Sequence, residues 1–187
     1  MTRVVFDPPY REDIEAAINE EGVDDSEARR LTFVQRYGKS IEREILRLLD
    51  SHPLDAARVL ANVTEITVRI DASWPPASLS RINCAGWPRI VLTLREDRDA
   101  IEELYPILCH EFTHVIDRLD PRFGLPTNQS VPPEIMKLWH CSIDGRLARK
   151  GIVVPHEDDV HVDPTLAQIV SACDWPSFDW LAKLACQ

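Results

Sequence analysis

The chain is poor in glycine, with 6 glycines among 187 residues, but it contains 14 prolines. Stiff connections between helices are therefore expected rather than flexible linkers, because proline fixes the backbone φ angle. Long apolar runs are also missing, and residues 1–20 lack the apolar core of a signal peptide. The sequence thus predicts neither a membrane span nor a secretion signal, and we expect a cytoplasmic protein.

Basic residues are in the minority, with 21 Lys and Arg against 31 Asp and Glu, which gives a net charge of -10. Binding to nucleic acids or to anionic membranes is therefore not expected, because both need a basic surface. The five cysteines are odd in number and form no CxxC pair, which argues against a disulfide framework and against a cysteine-built zinc site. The length and the apolar share of 44% are typical of a single globular domain.

Helical spacing of apolar residues dominates the N-terminal part, residues 1–60. Helices are predicted over residues 9–21, over residues 24–49 with Asp24 or Ser26 as a cap, and over residues 53–60. Beyond this part the pattern changes to the alternation of apolar and polar residues that is typical of strands.

Strands are predicted at residues 64–70 and 89–94, and helices at residues 106–119 and 133–150. The C-terminal tail, residues 151–187, is expected to be helical again. We therefore predict one α+β domain with a catalytic core at residues 64–150. In this core a small twisted sheet packs on the helix 106–119, and additional helices lie at both ends.

Residues 110–114 read His-Glu-Phe-Thr-His, an HExxH motif. Positions i and i+4 of a helix share a face, so His110 and His114 can bind one zinc ion together. Glu111 can then act as the general base that takes a proton from the metal-bound water. The motif predicts one zinc per chain and a hydrolytic reaction. The remaining apolar side chains of this helix are predicted to face the core; they are Leu108, Phe112, Val115 and Leu119.

A catalytic zinc site needs a third protein ligand and an open fourth position. The helix 133–150 offers Asp144, Glu134 and His140. We favour Asp144, because it precedes Gly145 between apolar residues, a pattern typical of a helix pressed closely against a neighbour. Asp120 is a further candidate. Asp117 lies one turn beyond His114 and is predicted to accept a hydrogen bond from a ligand histidine.

The HEFTH motif, the loop after it and a second helix with an acidic residue resemble the zincin metallopeptidases over residues 64–150. The run from His110 to Asp120 reads HExxHxxDxxD, which is similar to the HExxHxxGxxD of snapalysin-type peptidases, with Asp117 in place of the glycine. The resemblance implies a zinc peptidase with a zincin-like fold, acting on a peptide or protein substrate. It also implies an edge strand along the cleft, for which residues 89–94 are the candidate.

Two other functions stay open. The chain could be a zincin-like module that binds a partner without turnover. Alternatively, the metal could be structural, closed by a fourth protein ligand such as His140 or Asp144. Glu111 favours the enzyme, because a site that only holds a metal does not need a base. The donor that would stabilise an oxyanion is also open among four residues, namely Tyr105, His140, Arg146 and His156.

Overall fold

The computed structural model describes residues 2–8, 24–54, 63–71, 80–83, 88–96, 101–125, 130–155 and 162–186. Within these ranges the chain has an α+β fold with four strands and five longer helices. The predicted helix at 9–21 lies outside the described residues, as do residues 55–60 of the predicted helix at 53–60 and His156. The elements in chain order are β1 (Arg3–Asp7), α1 (Asp25–Asp50), β2 (Glu65–Asp71), β3 (Ser80–Asn83), β4 (Arg89–Arg95), α2 (Leu104–Leu119), α3 (Pro133–Ala148), α4 (Pro164–Ser171) and α5 (Phe178–Ala185).

The four strands form one mixed sheet in the order β1-β2-β4-β3. β1, β2 and β4 are parallel, and β3 runs antiparallel to β4. The alternation predicted for β2 is confirmed, since its apolar residues Ile66, Val68 and Ile70 are fully buried. β3, with four residues, is not among the strands predicted from the sequence, whereas β1 forms over the first residues, which the sequence predicts to be extended.

The prediction that residues 89–94 form an edge strand is wrong. β4 pairs with β2 on one side and with β3 on the other. Its sequence is consistent with this inner place, because Leu92, Thr93 and Leu94 are all buried and a strand covered on both faces loses the alternation of polar residues. The edge next to β4 is β3, which also contacts α2.

α1 begins where the sequence predicts, because the carboxylate of Asp24 accepts hydrogen bonds from the backbone N–H groups of Ser26 and Glu27, each at 2.9 Å. Its apolar face is fully buried at Val34, Ile41, Ile45 and Leu48. This face packs against the sheet and α2. No helix among the described residues combines the length and the apolar character needed to cross a membrane.

His52 joins the end of α1 to the backbone of α2. Its Nε2 lies 3.2 Å from the carbonyl oxygen of Cys109, and its Nδ1 accepts a hydrogen bond from the N–H of Leu54 at 3.3 Å. Burial lowers the pKa of His52 to about 4, so the ring is neutral and Nε2 carries the proton that it donates to Cys109. This bond attaches the turn after α1 to the backbone of α2 at Cys109, one residue before His110.

α3 and α4 pack together so closely that a side chain is excluded between them. A Cβ atom added at Gly145 would lie 2.5 Å from the Cα and 2.6 Å from the carbonyl carbon of Ser171. The guanidinium of Arg149 donates hydrogen bonds to the carbonyl oxygens of Ser171 and Cys173, which are left without helical partners at the end of α4. The sequence expectation that Gly145 marks a close helix contact is confirmed.

We predict that Gly145→Ala lowers the free energy of unfolding by about 3 kcal/mol, because the backbone of α4 must move to make room. Gly38 is the matched control, since it also lies inside a helix but an added Cβ would be 3.5 Å from Phe6, an ordinary contact. Gly38→Ala is expected to stabilise the chain by roughly 0.5–1 kcal/mol through helix propensity. Chemical denaturation measures both, and equal effects would contradict the prediction.

Candidate metal centre

The motif helix α2 is buried from residue 107 to residue 117. Leu108, Phe112 and Val115 are fully buried in the hydrophobic core, as predicted. Because these residues take the core-facing side, His110 and His114 lie together on a different face, where their rings contact His140 of α3.

Three histidines converge between α2 and α3. One ring nitrogen from each of His110, His114 and His140 lies within 4.8 Å of the other two. The Nε2 atoms of His110 and His114 are 3.2 Å apart. Within the part of the chain that the structure describes, this is the group of three or more ligating side chains that could hold a metal ion.

The three histidines could together hold a metal ion, and the separation of the His110 and His114 nitrogens suits one. Two nitrogens that are each about 2.0 Å from a tetrahedral zinc ion lie about 3.3 Å apart, close to the separation of the His110 and His114 Nε2 atoms. Burial, together with the neighbouring His140 and His110, holds the pKa of His114 well below its usual value. His114 is therefore neutral, which is the form that binds a metal. Zinc fits this donor set, as do other first-row divalent ions.

Asp144 contacts His110 on the side of the ring that faces away from His114. Its Oδ1 lies 2.8 Å from Nδ1 of His110, whereas the His110 nitrogen that approaches His114 is Nε2. The structure thus brings the predicted ligands His110 and Asp144 together, but Asp144 contacts Nδ1, the ring nitrogen of His110 that points away from His114 (the outer nitrogen). Asp144 as the third ligand stays a prediction, and the geometry favours His140 for that place.

The other two candidate ligands lie apart from this group. The carboxylate of Asp120 accepts hydrogen bonds from the side chain of Arg122 at 2.6–3.0 Å, and these bonds lower its pKa. α2 stays helical through Asp117 to Leu119, so the chain does not turn back to bring Asp120 to the histidines. Glu134 is exposed in the first turn of α3.

The predicted hydrogen bond between Asp117 and a ligand histidine is wrong. The buried Asp117 carboxylate instead accepts from both terminal nitrogens of Arg146, at 2.8 and 2.5 Å, and from Nε1 of Trp139 at 2.7 Å. The Trp139 ring meets the His114 ring edge to face at 4.4 Å between centroids. Asp117 therefore supports His114 through Trp139. Arg146 is committed to this buried pair, which argues against it as an oxyanion donor.

Glu111 is buried beside the histidine group, with 8% of its surface exposed. It directly follows His110 within the buried part of the motif helix. Burial of a carboxylate is costly and requires polar contacts. Glu111 as a general base stays a prediction, and the structure places its buried carboxylate one residue from His110.

The sequence pattern favours Asp144 over His140 as the third ligand, whereas the structure places His140 in the histidine group. Spacing makes both residues candidates, because residues 140 and 144 are i and i+4 on α3, like His110 and His114 on α2. Spacing places both side chains on one face but does not say which of them reaches the inner side of the site.

Comparisons with known proteins assign the chain to no family. No family model, no curated protein and no solved structure matches it. The inference of function therefore depends on the α+β fold and on the geometry of the histidine group.

We predict that Arg146→Met lowers the free energy of unfolding by about 3–5 kcal/mol, because it leaves the Asp117 carboxylate buried without its countercharge. Adding Asp117→Asn should recover part of the loss, since asparagine is uncharged and still accepts from Trp139. The control is Arg69→Met, which removes an exposed pair with Asp7 and should cost less than about 1 kcal/mol. Equal losses in both arginine variants would contradict this role for Arg146.

Proposed function

We propose that the chain is a zinc-dependent hydrolase, a zincin-type metallopeptidase, in which His110, His114 and His140 hold the metal and Glu111 is the general base. The observation that carries the proposal is the convergence of three histidines around an HExxH motif. A chance motif gives no reason for a third histidine from another helix to approach the same pair.

The chemistry follows from the donor set. When bound, a zinc ion with three neutral imidazole ligands supplies Lewis acidity that lowers the pKa of a coordinated water to about 7. Glu111, one residue after His110, accepts the proton from water and can return it to the leaving amine. The buried setting of Glu111 and His114 strengthens electrostatic interactions there, because water screens them less.

A catalytic metal is favoured over a structural one by the number of protein ligands. Structural zinc sites are closed by four protein ligands, whereas catalytic sites have three and keep one position for water or substrate. Asp144 could close the site as a fourth ligand, but its Oδ1 bonds the outer nitrogen of His110. The described residues therefore support a site with three histidines and one open position.

A peptide substrate is favoured by the edge of the sheet. β3 is the last strand on its side of the described sheet and contacts the motif helix α2. An edge strand can bind an extended peptide through main-chain hydrogen bonds. This arrangement supports a peptide or protein substrate over a small molecule.

We expect wild-type protein, purified without a histidine tag, to contain about one zinc per chain by mass spectrometry. His110→Ala and His140→Ala should both lose most of this metal, because each removes one of three ligands. His52→Gln is the matched control, since His52 is buried but lies outside the group and its substitution should leave the zinc content unchanged. A wild type that takes up no metal would refute the proposal.

Glu111→Gln is expected to retain zinc but to lose hydrolysis of a peptide library by about 10²-fold or more, because glutamine cannot accept the proton. The exposed Glu102→Gln serves as control and should retain full activity. If Glu111→Gln remained fully active, the mechanism would be wrong. If the zinc-loaded wild type cleaved no peptide in the library, a module that binds without turnover would be favoured.

A further inference from the structure

Two side chains of α3 reach the histidine pair of α2. His140 and Asp144 lie one helical turn apart, so they share the face of α3 that meets α2. His140 places a ring nitrogen in the three-histidine group, whereas Asp144 reaches Nδ1 of His110. One helix therefore contributes two different kinds of polar group to the same site.

The contact between Asp144 and His110 determines which nitrogen of the ring is left for a metal. A carboxylate accepts hydrogen bonds, so at 2.8 Å the proton of the contact lies on Nδ1 of His110. A neutral imidazole has one N–H, and its lone pair is then on Nε2. This Nε2 is the atom that lies 3.2 Å from His114 Nε2.

We propose that Asp144 is a positioning residue for His110 and not a metal ligand, with His140 as the third ligand. The inference rests on the proposed zinc site and assigns the role of its acidic residue. By holding Nδ1–H, the carboxylate fixes the orientation of the ring and its tautomer and increases the basicity of Nε2. Contacts of this kind contribute about 10- to 100-fold to metal affinity.

The two residues after Asp144 hold this part of α3 against its neighbouring helices. The next residue, Gly145, lies against Ser171 of α4, and Arg146 is bound to Asp117 of α2. These contacts fix the position of α3 relative to α2 and α4 next to Asp144. The carboxylate is thus held at the outer nitrogen of His110.

The two assignments differ in the donors that surround the metal. With Asp144 as a positioning residue, the protein supplies three imidazole nitrogens. With Asp144 as a ligand, it supplies two imidazoles and one carboxylate oxygen. X-ray absorption on the zinc-loaded full chain distinguishes these sets, and a cobalt-substituted sample gives an independent optical spectrum.

The experiment titrates zinc alone against a competing chelator for wild type, Asp144→Ala, Asp144→Asn and the exposed control Glu134→Ala. We expect all four to bind one zinc. The affinity of Asp144→Ala should fall about 10- to 100-fold, and that of Asp144→Asn should be intermediate, because asparagine offers an acceptor oxygen without the charge. Glu134→Ala should match the wild type. Three imidazoles should be seen in the wild type and in both Asp144 variants.

A carboxylate oxygen among the wild-type donors, an unchanged affinity in Asp144→Ala, or loss of stoichiometric binding in that variant at saturating zinc would each overturn the inference. The wild-type spectrum decides between ligand and positioning residue even if Asp144→Ala does not fold. Failure of the proposed function can be distinguished from failure of the assignment of Asp144. A wild type that binds no zinc overturns both, whereas three-histidine zinc binding without hydrolysis removes the enzyme and leaves the role of Asp144 intact.

Discussion

The geometry of the candidate site depends on the buried ion pair between Asp117 of α2 and Arg146 of α3. Both side chains are almost completely buried, with 7% and 5% exposed, and the carboxylate also accepts from Trp139. A buried charge that loses its partner is strongly destabilising, so this pair favours the packing in which Arg146 of α3 lies against Asp117 of α2. Because the two helices supply all the residues of the histidine group, their relative position determines whether three imidazoles meet.

The acidic side chains near the histidine group contact the histidines from the outside rather than joining the three ring nitrogens that lie together. Asp144 bonds the outer nitrogen of His110, and Asp117 supports His114 through the edge of Trp139. A metal held by neutral imidazoles keeps its full positive charge, which makes a coordinated water more acidic than carboxylate ligands would. In the proposed zinc site, acidic residues of both helices would thus support the histidines and leave the fourth position of the metal to water.

Much of the fold could be predicted where local pattern was sufficient. The cap at Asp24, the buried face of α1, the alternation in β2 and the motif helix all follow from periodicity or from capping within a few residues. The acid and glycine between core residues at 144 and 145 predict a closely packed helix, and the structure confirms this at Gly145. The edge strand was misassigned, because β3 contains four residues and its pattern is too short to be distinguished from a loop.

The sequence by itself determined that His110 and His114 share a helix face with Glu111 between them, since helix periodicity is a local property. Only the tertiary structure decided that His140 joins them and that Asp144 lies behind His110, a contact across 34 residues of chain. It also decided that Asp117 pairs with Arg146. The physical reason is that helical spacing fixes which residues share a face, whereas the packing of α3 between α2 and α4 fixes the depth that each side chain reaches.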